Sequence, residues 1–490
     1  MDPRDVNPVP PFGLSHSYAE ALAGGFVEVT PDVAPDPRLV WWNAKLAAEM
    51  GLPEGVETAA ARVISGAALP PDARPIAMAY AGHQFGGFSP RLGDGRAHLL
   101  GEVVGPDGQL RDLHLKGSGR TPYARGGDGK AALGPMLREA LVSEAMAALG
   151  IPTTRTLGVA LTGETVHREG PESGAVVARV AASHIRVGTF QYFAARGDQA
   201  GLARLLAYSI ARHDPDLDPE DALGFLDRVA GRQAALIARW MGVGFIHGVM
   251  NTDNMAVSGE TIDYGPCAFM EGYAPGTVYS SIDHQGRYAY ANQPLILGWN
   301  LARLAETLLP FIDAEADRAV ARAMEVLQGV AGRYRAAWVE VMRAKLGLTG
   351  AEDGDGALAD DLLDAMAGQG ADFTLTFRRL AEAAEGDEVP LRMQCGESSG
   401  LTHWLPRWRA RLARSQAGAA ARLSEVNPIH VPRNHLVELA LQAAREGDLG
   451  PFSDLMAAVR QPFDARAGWE RFALPAPAGF DAGFRTFCGT

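Results

Sequence analysis

The chain has 490 residues, 47% of them hydrophobic and 21% charged, and carries a net charge of −13 at pH 7. That length suffices for a large core in two or three subdomains of an ordinary globular protein, and the acidity argues against nucleic acid or an anionic membrane as partner. Three cysteines exclude a disulfide scaffold and favour a reducing compartment, most simply the cytoplasm.

The start, Met1-Asp2-Pro3-Arg4-Asp5, lacks the basic and apolar regions of a secretory signal. The most apolar run, residues 234–250, is interrupted by Arg239 and His247, so no membrane span is expected. In chain order, the first stretch that suggests chemistry is R-L-G-D-G-R-A-H-L-L-G-E-V-V (91–104). Gly93, Gly95 and Gly101 surround an alternating apolar run, which predicts two strands joined by a glycine-containing turn able to approach phosphates. Taken alone, such a G-x-G pair is usually only a turn. Asp112-Leu113-His114-Leu115-Lys116 then alternates as a strand and ends on a lysine. A strand-end lysine is ordinarily a solvated charge, but glycine clusters at 117–119 and 126–129 follow at once, leaving backbone open for an anion.

A helix is predicted from Pro135 to Gly150, and it offers Glu139 and Glu144 as partners for Lys116. The two glutamates lie roughly 140° apart around a helix, so both cannot face one point. Periodicity does not choose between them. Residues 174–187 form an apolar strand and its exit, with Arg179 embedded and Arg186 following. A buried arginine needs a carboxylate or a phosphate, whereas an edge-strand arginine needs only water. Asp218-Pro219-Glu220-Asp221 reads as a helix cap with a first-turn proline. The apolar series Leu223, Leu226, Val229, Ala230, Ala234, Ile237 and Met241 then carries a helix into Gly244.

Residues 244–265 read G-F-I-H-G-V-M-N-T-D-N-M-A-V-S-G-E-T-I-D-Y-G. Protein kinases use this layout, H-R-D-x-x-x-x-N followed by D-F-G, in which the Asn and second Asp hold Mg²⁺ against nucleotide phosphates. Asn254 and Asp263 occupy those metal-holding places. Laid on H-R-D, however, the chain has His247-Gly248-Val249, so valine replaces the proton-accepting aspartate, and an acid appears instead at Asp253. Arg96, Lys116, Arg179 and Arg186 also supply more cations than phosphoryl transfer needs. Beyond the triad, residues 266–293 read as loop and residues 294–309 and 314–346 as helices. A Gly/Asp-rich break follows at 350–356, then helices near 360–384, 404–422 and 433–446 without identifiable chemistry. No histidine shows metal-ligand spacing and there is no C-x-x-C, so zinc is not expected.

The strings Y-A-G-H-Q-F-G (80–86), L-G-D-G-R-A (92–97), L-K-G-S-G-R-T-P-Y-A-R-G-G-D-G (115–129), H-G-V-M-N-T-D-N-M (247–255), D-Y-G-P (263–266) and S-I-D-H-Q-G-R-Y (281–288) resemble the selenoprotein O family, whose bacterial members are called YdiU. The resemblance runs from about residue 10 to Phe487-Cys488-Gly489-Thr490. It implies an α+β, two-lobed, protein-kinase-like fold that binds ATP in a flipped orientation. It also implies transfer of AMP to Ser, Thr or Tyr hydroxyls of proteins, with Mg²⁺ or Mn²⁺, and UTP as a second donor. The corresponding organisation is an N-terminal extension (1–75), an N-lobe (76–187), a C-lobe (188–349) and a helical C-terminal region (350–490).

Carried over by motif, Gly93, Gly95, Arg96, Asp128, Gly129, Arg179 and Arg186 become nucleotide contacts, and Lys116 pairs with Glu139. Asp253 becomes the proton acceptor, with Asn254 and Asp263 as metal ligands and Asp263 also facing the nucleotide. A flipped nucleotide accounts for the surplus arginines, since departing pyrophosphate adds charge to neutralise. Two other readings compete: an ATP-dependent phosphotransferase, against which Val249 counts, and a non-catalytic nucleotide-binding scaffold, against which Lys116, Asn254 and Asp263 count. The family's selenocysteine corresponds to Cys488, but the loop before S-I-D-H-Q-G-R-Y has no cysteine, which puts an internal redox pair in doubt; Cys267 and Cys395 are the other two thiols.

Overall fold

The computed structural model of the chain describes residues 8–396 and 398–487, so Cys488 lies outside the described residues. An eight-stranded antiparallel sheet forms the upper lobe. Its order is Phe26–Glu28, Ile76–Met78, Ala97–Val104, Leu110–Lys116, Pro171–Ala181, Arg155–His167 and Arg38–Trp42, with Leu14–Ser15 added against Ala97–Val104.

The period of two along the central strands sorts their side chains onto two faces. Leu113, Leu115, Val176, Ala178 and Val180 bury one face under Ala59, Ala60, Val63 and Ile64 of the helix Glu57–Ser65. On the other face Lys116 lies opposite Val177, His114 opposite Arg179 and Asp112 opposite Ala181. Three polar groups of one strand therefore share a face with Arg179. The helix Leu133–Ala148 crosses this face and packs Met136, Leu137, Ala140 and Leu141 against Ala175 and Val177.

The lower lobe is helical. Ala222–Gly242, Gln293–Ile312 and Ala316–Lys345 pack on one another around Phe225, Leu226, Ile237, Leu297, Leu301 and Leu304. The segment Tyr290–Ile312 is long and apolar enough to cross a membrane by length and composition, yet half of its apolar window is buried inside this lobe. Helices from Asp355–Met366 to Ala419–Val426 extend the same core. Asn434–Arg445 and Gly450–Val459 instead return to the upper lobe, where Val437, Leu441, Phe452 and Leu455 cover the helix Leu133–Ala148. The architecture is thus the expected α+β, two-lobed, kinase-like one.

Several local expectations shift. Residues 91–96 form a loop that enters one strand, Ala97–Val104, rather than a turn between two strands. The turn lies at 105–109 instead. Asp94 diverts the earlier stretch, because its backbone and carboxylate bond Met78 and its carbonyl accepts from Thr121. The Leu133–Ala148 helix starts before Pro135. Asp221 is the true cap of Ala222–Gly242, accepting from Gly224 N at 2.8 Å, and this leaves Pro219 in the preceding turn. The run near 360–384 breaks into Asp355–Met366, Phe373–Arg378 and Leu380–Ala384, because Asp372 caps a new helix and pairs with Arg433. The run near 404–422 breaks at Gly418, whose φ is +82°.

Candidate active site

A cavity of about 630 Å³ lies between the sheet and the helical lobe, a size suited to a small-molecule ligand. Gly93, Gly95, Arg96, Lys116, Asp128, Gly129, Arg179, Arg186, Asp253, Asn254 and Asp263 all border it. Glu139 stands behind Lys116, its carboxylate 2.6 Å from Nζ. Glu144 turns to the far side of the same helix and binds Arg155 and Asn43, so the angular separation gives each glutamate its own task.

Asp263 is the hub of the upper wall. Its Oδ1 accepts from Lys116 Nζ at 2.8 Å and from Arg179 Nη1 at 2.7 Å, and its Oδ2 accepts from Arg186 Nη1 at 2.7 Å. Burial would raise its pKa, but Lys116, Arg179 and Arg186 hold the carboxyl well below the usual range. The residue has φ +64°, a left-handed conformation costly for a non-glycine and maintained here by these three cations.

Arg179 is only 2% exposed, and most of its donors are engaged. Nη1 donates to Asp263 and to Glu139, Nε to His184 Nε2 at 3.2 Å, and Nη2 lies 3.4 Å from His114 Nδ1. Because those imidazole nitrogens accept, the opposite ones must donate: His184 Nδ1 to Asp112 at 2.9 Å and His114 Nε2 to Asp94 at 3.0 Å. Burial holds both rings neutral, His184 with its pKa lowered to about 3 and His114 also lowered. Burial also acts to raise Asp94, yet His114 and Arg186 keep it at about 2.

The lower wall is built differently. Asp253 sits in the short turn Thr252–Asn254, fixed to the hairpin Gly82–Gln84 and Gly87–Ser89. His83 N donates to Thr252 Oγ1 at 2.7 Å, Phe85 N to Asn251 Oδ1 at 3.1 Å, and Gln84 Nε2 to Asp253 Oδ2 at 3.1 Å. Gly82 must be glycine here, since a Cβ would lie 2.5 Å from Asp253 Oδ1. That Oδ1 is buried and has no hydrogen-bond partner among the described residues. Burial pushes the Asp253 carboxyl up to about 6, despite the lowering pull of Gln84. Arg186 Nη1 joins the two walls by donating also to the Asp253 carbonyl at 2.7 Å.

Val249, at the kinase base position, is buried and borders the cavity, and its carbonyl accepts from Asn254 Nδ2 at 2.9 Å. The Asn254 amide oxygen is thereby left for a cation. Tyr264, where kinases have Phe, is buried with its hydroxyl bonded to Thr153. At the rim, Asp128 pairs with Arg168 at 2.9 and 3.1 Å, a partner that the sequence reading did not single out. Gly93, with φ +94°, allows Tyr123 to pack within 2.5 Å of where its Cβ would stand.

The oxygen donors suit a hard divalent cation. The Asp263 carboxylate and the Asn254 amide converge on the cavity, and Mg²⁺ is commonly held by one or two protein oxygens plus phosphates and water. Among the described residues no group of three His, Cys, Asp or Glu could hold a metal alone, so nucleotide oxygens would complete the shell.

The motif set can be weighed against known proteins. A family model described as "Protein adenylyltransferase SelO" matches residues 15–460. The chain belongs to this family. A relative from Cereibacter sphaeroides is 60% identical over 483 residues, covering 98% of this chain and 100% of its own length. One from Chromobacterium violaceum is 58% identical over 471 residues, covering 94% and 98%. One from a Mycobacterium species is 54% identical over 489 residues, covering 97% and 99%. All three are called "Protein nucleotidyltransferase YdiU".

In this SelO-family chain, the residues that sequence reasoning missed are mostly the supporting ones. Asp94 was visible inside L-G-D-G-R-A and Gln84 inside Y-A-G-H-Q-F-G, but neither has a partner nearby in sequence. His114 carried no signal beyond its strand position, and His184, which follows the strand Pro171–Ala181, carried none.

Proposed function

We propose that the chain is a protein adenylyltransferase that moves AMP from ATP to Ser, Thr or Tyr hydroxyls of proteins and releases pyrophosphate. UTP serves as a second donor on the same reading. The observation that carries this is Asp253: a carboxyl at the cavity wall, with one oxygen unpaired among the described residues and its pKa raised by burial to about 6, beside a kinase base position filled by Val249. A carboxylate of that basicity is mostly ionised at neutral pH and suited to take a proton from an attacking hydroxyl.

Asn254 and Asp263 hold Mg²⁺ or Mn²⁺, which when bound neutralises phosphate charge. Lys116 and Arg186 orient and neutralise the phosphates. Arg179, with most of its donors on protein groups, acts chiefly by fixing Asp263. Gly93, Gly95, Arg96, Asp128 and Gly129 contact the rest of the nucleotide. As the hydroxyl oxygen bonds to the α-phosphorus, the bond from that phosphorus to the α,β-bridging oxygen breaks. Pyrophosphate leaves, and Asp253 receives the hydroxyl proton.

The deciding experiment is incubation with an acceptor protein and ATP labelled at either the α- or the γ-phosphate, followed by intact-mass analysis. Label from the α-position and a gain of one AMP are expected. Label from the γ-position with a gain of one phosphate would replace this reading with phosphoryl transfer.

A further inference from the structure

A second cavity, about 620 Å³, opens beside the first and shares Phe85 and Ile282 with it. It is bounded by the S-I-D-H-Q-G-R-Y loop and by Leu295. Nothing in nucleotide binding accounts for it.

Three features mark it as a seat for a ligand. First, exposed apolar groups stand in its lining beside the polar Asp283, His284, Gln285, Arg287 and Asn292: Leu295 is 72% exposed, Ile282 46% and Phe85 37%. Large exposed apolar groups clustered at one place signal a contact surface. Second, Phe85 has φ +52°, an unfavourable conformation for an aromatic residue, and it is held there by its bond to Asn251 of the catalytic loop. Strain of this kind persists where a side chain must be presented in one direction. Third, Arg287 brings a cation into the cavity. Its guanidinium lies 4.8 Å from the Trp299 ring centre and interacts with the Tyr288 hydroxyl, while its Nε is buried without a hydrogen-bond partner among the described residues. Asp283, the nearest acid along the loop, accepts instead from the backbone N–H groups of Arg287 and Tyr288 at 2.9 and 2.8 Å. Tyr288 in turn donates to Asn251 at 2.6 Å, so this loop and the catalytic loop form one rigid piece.

We propose that the second cavity seats the acceptor segment of the protein substrate. The segment lies extended, with an apolar side chain against Phe85, Ile282 and Leu295 and an acidic side chain on Arg287, and its hydroxyl enters the first cavity beside Asp253. This rests on the AMP-transfer reading above and specifies its acceptor. The guanidinium selects the acid, since a partly desolvated fork binds a carboxylate more strongly than any neutral group. In a chain of net charge −13 this local cation would attract what the remaining surface repels.

The test uses two synthetic peptides, each with a tyrosine flanked by leucine and glutamate, or by leucine and lysine. AMP incorporation is followed by mass, and ATP affinity is measured in parallel. Wild type should favour the glutamate peptide by about tenfold or more, as expected for one charge-assisted contact. Arg287→Gln should remove that preference, and Arg287→Glu should turn it toward lysine. Leu295→Glu, at an exposed position that folding does not depend on, should lower labelling of both peptides while ATP affinity stays unchanged. Equal labelling of the two peptides by wild type, or wild-type labelling by Leu295→Glu, overturns the proposal. Absence of AMP on any acceptor would defeat the transfer reading itself, and this proposal with it.

Discussion

Asp253 and Asp263 belong to opposite walls of one cavity, and their surroundings treat the same functional group in opposite ways. Asp263 is surrounded by Lys116, Arg179 and Arg186 and is held as a fixed anion. Asp253 accepts from one neutral amide, its other oxygen has no hydrogen-bond partner among the described residues, and burial raises its pKa to about 6. The Asp263 carboxylate is bonded by three cations, whereas Arg186 reaches only the backbone carbonyl of Asp253 and leaves burial to dominate its carboxyl. The left-handed backbone at Asp263 and the glycine at Gly82 are the local means by which each environment is built.

The sharpest way to break this contrast is Asp263→Ala. It removes the anion around which Lys116, Arg179 and Arg186 are arranged, and AMP transfer should be lost entirely, as measured by α-label incorporation. Wild-type rates would sink the metal-side assignment. Asp253→Asn comes next: it keeps size and the Gln84 neighbourhood but removes basicity. A loss of about 10²–10⁴ in kcat with unchanged ATP affinity is expected, and an altered affinity without loss of rate would show that Asp253 only shapes the loop. Arg186→Ala should raise KM for ATP and lower kcat together, by roughly ten- to a hundredfold in kcat/KM, because it touches both walls. Steady-state kinetics in ATP would show whether only one parameter moves.

A third carboxyl sharpens the comparison with the smallest effect. Glu260 accepts from Ala182 N and Ser258 Oγ, with no cation bonded to it among the described residues, and burial raises it to about 7. Its folded pKa lies above the unfolded one, so the folded state holds a proton that the unfolded state has released. Its contribution is therefore fully present below the ordinary glutamate value of roughly 4.3 and is lost as pH rises toward 7. Relative to Glu260→Gln, wild type should lose stability across that window, by roughly 3 kcal/mol at most, measured by denaturant titration at several pH values. Parallel pH curves for the two proteins would contradict the raised carboxyl.

The strand Asp112–Lys116, the apolar strand around Arg179 and the loop from His247 to Asp263 were legible in the sequence, because each is written in a local pattern. Alternation also places Lys116 and Arg179 on one face once the strands are known to pair. What stayed hidden depends on register between distant strands. No local pattern tells that His114 will stand opposite Arg179, or that Asp94 will bond His114. The choice between Glu139 and Glu144 was likewise a question of which neighbour lies on each side of the helix. Apolar spacing announced Asn434–Arg445 as a helix, but carried no information about which lobe it would cover.

That last docking has a consequence for control. Kinase-like sites are commonly switched off by moving the glutamate-bearing helix away from the strand lysine. Here that helix is clamped from both sides: Arg138 donates to the carbonyls of Gly265 and Cys267, and Val437, Leu441, Phe452 and Leu455 cover its outer face. Swinging it out would uncover several fully buried side chains, each worth about 1.5–3 kcal/mol, and would detach the D-Y-G segment at the same moment. The Lys116–Glu139 pair is therefore a permanent fixture of the resting enzyme, and any throttle on this chain has to act elsewhere than on that helix.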